Sequence, residues 1–364
     1  MRIGIVAPLV AAIREPQRGG SQAFVADLAR GLIGRGHEVH LYAASGSEVP
    51  GVPVIDTGVD HRPLSAALYR PSGAGDRTSA ATESAFARVY SAVREDRYDV
   101  IHNHAFDAPA IRLATGLGAP VVHTVHLPPE DAVAAALRNA AETDGPPTVA
   151  GVSEFQASAW RRVVPIDAIL PPYVPTSLIG WSPGAGDGAI FAGRLSPEKG
   201  AAEAIDIARA AGVRVDVYGD GYDAEYVRAR IDPLRAEPGV GVHPAVPRPS
   251  LWEEMARAAV VLCPARWDEP FGMVAAEAQA CGTPVVAFDR GALGEVVLDE
   301  RTGFLVTPDD VHAAADAVRR ASGLSRAECR AHAERWLDLG RSLEAHERLY
   351  QGVVGAGAGA AAHG

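Results

Sequence analysis

Twice along this 364-residue chain, short apolar runs of strand character alternate with stretches of helical periodicity, and a Pro- and Gly-rich segment separates the two series. That alternation leaves few folds open. Strands that are apolar throughout must be buried on both faces, which calls for a parallel sheet with helices packed on either side. In the first series, Ile3–Ala7, Glu38–Ala43, Tyr98–His104, Pro120–His126 and Thr148–Ser153 read as strands. Helices are expected from Ser21 and over Glu83–Glu95, Ala108–Leu117 and Glu154–Val163. The second series has strands at AIFAGRL, VRVDVYG, VVLCPA, PVVAF and FLVTP, with helices near Gly200–Ala211, Ala224–Arg235, Leu251–Ala258 and Val311–Ala321. A long amphipathic pattern follows over Arg326–Gln351.

The expected fold class is therefore α/β, with two doubly wound Rossmann-like domains. The first domain is expected over residues 1–170, a linker over 171–188, the second domain over 189–337 and a disordered tail over 353–364. Residues 58–82, rich in Pro, Gly, Ser and Ala, read as a surface excursion long enough to carry function.

Composition narrows the chemistry. A net charge of −11 with 34 Lys and Arg disfavours nucleic acid and acidic membrane faces as partners. Three scattered cysteines argue against a disulfide framework or a cysteine zinc site and fit a reducing, cytoplasmic location. No apolar run approaches the roughly 18 residues that span a bilayer. The chain has no G-x-S-x-G, G-x-x-x-x-G-K-[ST] or H-E-x-x-H, so serine hydrolase, P-loop and zincin chemistries lack their motifs.

Chemistry concentrates in EPFGMVAAE, Glu269–Glu277. Glu269 precedes a Pro-Phe-Gly turn, and Glu277 stands about one turn into the helix that follows. The order offers N–H groups and a positive helix end to an anion, with an acid on each side to accept hydroxyl hydrogen bonds. The plain structural reading is a helix-end acid and a solvated loop charge, and a glycosidase acid pair would use the same residue types. Arg194 and Lys199 follow the strand AIFAG, where ligands of open α/β sheets bind, and could clamp a diphosphate or simply decorate a helix start. Gly219 and Gly221 with Ala224 match a loose dinucleotide pattern and would support a dehydrogenase; a turn against a nucleotide base needs the same glycines. His102, His104, His123 and His126 cluster near two strand ends without a recognised metal-ligand spacing, and His126 is best placed to touch a ligand.

These pieces together resemble the retaining glycosyltransferases of family GT4, which have the GT-B fold with a cleft between the two domains. The resemblance rests on RGGSQAFVADLARGLIGRGHEV, YDVIHNH, PVVHTVH, VAGVSE, FAGRLSPEKG, VYGDG and EPFGMVAAEAQACGTPVVAFDRGALGEVV. It implies that Arg194 and Lys199 neutralise the donor diphosphate, with Gly20 completing that site. Glu277 would accept the ribose hydroxyls and Glu269 would hold the donor sugar. The N–H groups of Phe271, Gly272, Met273 and Val274 would bind sugar hydroxyls and phosphate, and His126 would reach the donor sugar. His243 to Val246, with Gly219 and Gly221, would line the base. The resemblance also implies a crossover helix at about 338–352 returning to the first domain, and the linker as hinge. No metal and no cofactor beyond the nucleotide-sugar co-substrate are implied. A UDP-sugar is favoured as donor, a small molecule or glycoside as acceptor with contacts from Ala11–Gly19 and Gly58–Thr82, and a monomer or homodimer as the assembly. An NAD(P)-dependent dehydrogenase and a non-catalytic nucleotide-sugar-binding protein are the alternatives. The chain departs from the family pattern at Pro172-Tyr173, at His243-Pro244 and at Gly291-Ala292.

Overall fold

The computed structural model describes residues 1–62, 64, 80–184 and 186–361. The expected excursion at 58–82 therefore lies largely outside the described residues. The chain forms two compact units. One comprises residues 1–14, 20–172 and 339–364; the other comprises 15–19 and 173–338.

The first unit is built on a seven-stranded, fully parallel sheet. Its strands are β1 (Arg2–Val6), β2 (Glu38–Ala43), β3 (Val54–Asp56), β4 (Val100–Asn103), β5 (Val121–Thr124), β6 (Thr148–Gly151) and β7 (Ala168–Ile169), in the order β3-β2-β1-β4-β5-β6-β7. The order reverses beside β1, as in a doubly wound sheet, and functional loops of such sheets gather where the strands end. Around it pack α1 (Gly20–Gly34), α2 (Ala80–Arg94), α3 (Ala108–Arg112), α4 (Asp131–Ala141) and α5 (Glu154–Trp160). β1 and β4 are fully or nearly fully buried, which is why their sequences carry no polar alternation. β3, β7 and α4 lie where the sequence reading assigns no element.

The second unit repeats the plan with six parallel strands. These are β8 (Ala189–Ala192), β9 (Val215–Tyr218), β10 (Val240–His243), β11 (Val260–Cys263), β12 (Val285–Phe288) and β13 (Gly303–Val306), in the order β10-β9-β8-β11-β12-β13. Its helices are α6 (Ala201–Ala211), α7 (Ala224–Tyr226), α8 (Arg248–Arg257), α9 (Met273–Ala280), α10 (Leu293–Val296), α11 (Val311–Ala321) and α12 (Arg326–Trp336). The core between α6, α11 and the sheet is made of small and branched side chains, including Ala201, Ala204, Ile205, Ala314 and Val318. Small residues there let the helices approach the strands closely.

Two expectations are corrected and one is resolved in detail. The helix expected over Ala224–Arg235 breaks into α7, a π-turn over Val227–Ile231 and a 3-10 turn at Asp232–Leu234, because Pro233 cannot donate to a continuing helix. The pattern Arg326–Gln351 is two helices, α12 and α13 (Leu339–Ala361), parted at Leu337-Asp338. The tail expected to be disordered from 353 continues α13 as far as Ala361, in keeping with its alanine content.

The stretch 171–188 divides at Pro172/Tyr173, and from Tyr173 onward it belongs to the second unit. Two buried arginines of α12 fasten it there. Arg330 donates to the carbonyls of Thr176, Ile179 and Ala280, while Arg326 donates to those of Ser182, Ala256 and Ala258.

Candidate active site

In the second unit, the loops at the C-terminal ends of β8, β9 and β11 carry most of the residues singled out above. Gly193 follows β8, and a Cβ on Gly219, just after β9, would lie 1.9 Å from the Gly193 carbonyl oxygen. The two loops can therefore touch only because Gly219 is glycine. Leu195 and Gly221 then bridge in parallel. This explains the glycine pattern as close backbone approach, and α7, three residues long, offers no dinucleotide-binding helix.

Arg194 and Lys199 leave the same loop. The Arg194 guanidinium lies 4.8 Å over the Tyr222 ring and donates from Nη2 to Glu198 Oε1 at 3.0 Å, an oxygen that also accepts from Ser196 Oγ. Lys199 Nζ donates to Glu269 Oε1 at 2.5 Å and sits 4.8 Å over the Trp267 ring. Trp267 Nε1 donates to the same carboxylate oxygen at 2.8 Å. Lys199 and Glu269, 70 residues apart, thus share one polar centre, with side chains 22% and 16% exposed. Partial exposure leaves both side chains within reach of solvent and lowers the desolvation cost of the pair. The Cys263 thiol at the end of β11 is pushed up to about 12 by burial and by Glu269, so it stays neutral.

Glu269 is held through its backbone as well. Ala292 N–H donates to the Glu269 carbonyl at 2.8 Å, and Gly291 has φ +63°. Gly272 caps α9 with φ +100°, and the first bonds inside the helix run from Ala275 and Ala276 to its carbonyl. The N–H groups of Met273 and Val274 thus belong to the first turn, where a helix has no internal acceptors and bears its positive end. Phe271 is buried, and Tyr173, the departure at the unit boundary, packs its ring 5.8 Å from that of Phe271.

Glu277 stands in the second turn of α9, only 5% exposed. Its partner is Arg248 at the start of α8, whose Nε donates to Oε1 at 3.0 Å. Nothing in the sequence marks this pair, because 29 residues separate the partners. His243, expected along the base, stacks on Tyr218 at 4.6 Å and lies 2.8 Å from Asp216 Oδ1. Val246 is half-buried in the short segment leading into α8.

In the first unit, Gly20 is the exposed first residue of α1. His126 follows β5, 8% exposed, with Nε2 3.0 Å from His104 Nδ1. Burial depresses its pKa to about 3, so it is a neutral hydrogen-bonding ring at ordinary pH. His102 lies 2.6 Å from the Tyr350 hydroxyl and 2.7 Å from Thr124 Oγ1, and His123 lies 2.7 Å from Asn103 Nδ2. The rings thus serve one another and nearby hydroxyls and amides. Among the described residues, no three His, Cys, Asp or Glu side chains converge in a metal-binding arrangement.

Residues 186–336 match the family described as glycosyl transferases group 1, and residues 18–177 match glycosyltransferase family 4. A D-inositol 3-phosphate glycosyltransferase of Mycobacteroides abscessus is 30% identical, covering 90% of this chain and 84% of its own length. One from Kribbella flavida is 31% identical, with 82% and 81% covered. Among solved structures, sucrose-phosphate synthase of Thermosynechococcus elongatus superposes with a TM-score of 0.80 at 19% identity, covering 98% of this chain and 99% of that one. Anabaena HepE, solved in complex with UDP and glucose, gives 0.74 at 20% identity, with 96% and 99% covered. With both halves matched by models of one kind and relatives aligned over most of its length, the chain belongs to the family 4 glycosyltransferases and has the GT-B fold.

Proposed function

We propose that this glycosyltransferase moves a hexosyl or N-acetylhexosaminyl unit from a UDP-sugar to a hydroxyl of a small soluble acceptor, with retention at the anomeric carbon and without a metal ion. The observation that carries the reading is the Lys199–Glu269 pair, set beside Arg194 and in the segment that leads into α9. Departure of a nucleoside diphosphate builds negative charge on its phosphates. Arg194, Lys199 and the first N–H groups of α9 are fixed donors for that charge, so they can stabilise it without reorganising. Glu269, already oriented by Lys199 and Trp267, is suited to accept hydroxyl hydrogen bonds from the donor sugar. Because Glu269 is tied up in this way, we assign it to sugar binding, and we assign no covalent nucleophile. Glu277 accepts the ribose hydroxyls, and His126 is a neutral ligand-facing ring in the first unit. UDP and UDP-glucose in the HepE structures support the choice of donor. The inositol phosphate in the relatives' names supports a small polar acceptor. Three cysteines without disulfides suit a reducing compartment, where we place the protein.

The test is a donor screen with UDP-, GDP- and ADP-sugars against small polyol and glycoside acceptors, read by product mass and anomeric configuration, with and without EDTA. Transfer should need a UDP-sugar, retain configuration and survive EDTA. Lys199→Ala and Glu269→Ala should each lower kcat/KM at least about 100-fold, as losing an electrostatic donor or its partner does elsewhere. Thermal stabilisation by NAD and by no nucleoside diphosphate would overturn the proposal.

A further inference from the structure

We propose that Arg248 is a positioning residue for nucleotide binding: it fixes the Glu277 carboxylate so that one oxygen is kept for the donor's ribose. The inference rests on the nucleotide-sugar reading above. Glu277 is 5% exposed, on a helix whose other buried residues are Ala275, Ala276, Ala278, Gln279 and Ala280. A carboxylate buried to that degree needs a cation or a set of donors. Arg248, itself 5% exposed, supplies them from another element. Its Nε lies 3.0 Å and its Nη2 2.9 Å from the same oxygen, Oε1. The guanidinium plane is set on its other side by the Trp252 ring, 4.8 Å away. The backbone of Arg248 is pinned too, its N–H donating to Glu15 Oε2 at 3.0 Å.

This geometry does more than neutralise charge. Nε donates to Oε1 and Nη2 adds an ionic contact at the same oxygen, so Oε1 is the oxygen held by the arginine, and Oε2 is the one we assign to the ligand. A ribose offers two adjacent O–H donors, and a carboxylate oxygen has lone pairs for both. Lysine at 248 would keep the charge while losing the planar fork and the stacking surface. Orientation, not charge alone, is therefore what the arginine contributes.

The experiment compares binding of UDP, 2′-deoxy-UDP and 3′-deoxy-UDP by calorimetry in wild type, Arg248→Lys, Arg248→Met and Glu277→Gln, with circular dichroism to confirm folding. Wild type should prefer UDP over at least one deoxy analogue by about 10- to 100-fold, the range for a hydrogen bond to a charged group. In Arg248→Lys and Glu277→Gln that ratio should fall below about 3-fold, a change in discrimination that a generally loosened fold would not produce. Arg248→Met leaves a buried carboxylate unpaired, so where it fails to fold the lysine variant decides. A wild type that binds no nucleoside diphosphate sinks the donor reading itself. A wild type that binds UDP and both deoxy analogues alike leaves the donor reading standing and overturns the role of Glu277, and Arg248 with it. An Arg248→Lys protein with undiminished discrimination overturns the positioning role alone.

Discussion

Gly291 shows how one missing carbon shapes the site. A Cβ there would lie 2.3 Å from both the backbone nitrogen and the backbone oxygen of Glu269, and φ is +63°, where other residues are strained. Gly291→Ala should therefore displace Glu269 and raise the donor KM at least about 10-fold, beyond the ~1–2 kcal/mol of backbone strain. Initial rates against donor concentration and a melting curve separate the two effects; an alanine variant with wild-type KM would show that the turn yields freely. At this scale the sequence was informative where the chemistry is local. Arg194, Lys199, Glu269 and Glu277 sit in short motifs at strand and helix ends, so their types and spacing announce them. Arg248 and Tyr222 do not, because each meets its partner only through the fold; Trp267 stands two residues from Glu269 but looks like any apolar loop residue until its indole N–H is seen on that carboxylate. The pairing of His243 with Asp216 likewise has no signal in the sequence, since 27 residues separate them.

Among the elements, α12 works as a clamp. Arg330 satisfies carbonyls at Thr176, Ile179 and Ala280, and Arg326 reaches Ser182, Ala256 and Ala258. Replacing Arg330 with Met would strand three buried carbonyls, each costing about 1–3 kcal/mol if water cannot reach it. We expect Arg330→Met to lower the melting temperature by well over 5 °C and to open residues 173–182 to limited proteolysis. Unchanged protease resistance there would show that the segment is held by other contacts. The Pro and Gly content of 171–188 suggested a free linker, since composition reports backbone preference but not tethering by distant arginines. The central strands are legible, because continuous apolar runs leave little choice, whereas the short edge strands β3, β7 and β10 carry no such run and are missed. Helices are less legible: Pro233 cuts a pattern whose periodicity runs on, and α13 continues past the point where glycine content argues for an end.

For the whole molecule, acid is the informative perturbation. His123 and His126 are depressed to about 3 and His346 to about 4, while His102 and His104 lie well below the ordinary range, all through burial first. Unfolded, each would take up a proton near pH 6.5; folded, each stays neutral. The unfolded state therefore binds more protons between about pH 6.5 and 4, and stability falls as pH falls through that window, each group contributing at most about 1.4 kcal/mol per pH unit. Above pH 6.5 these residues exert no such penalty. Urea midpoints should drop steeply from pH 7 to 5.5 and less steeply in His346→Phe; a flat profile would show the rings to be reachable by water. The two-unit architecture itself was legible, since two alternating series with a break between them admit few arrangements. What composition could not convey is that the first unit is completed by residues 339–361.

That completion sets an order of events during synthesis. The Tyr350 hydroxyl is 2.6 Å from His102, and Phe24 lies 5.8 Å from His346, so the centre of the first unit is closed by a helix whose Tyr350 leaves the ribosome 248 residues after His102. Residues 173–338 emerge in between and can fold as soon as they clear the exit tunnel. The half of the enzyme translated first is consequently the half finished last, and a fragment ending at residue 172 should remain incomplete until a peptide spanning 339–361 is supplied in trans.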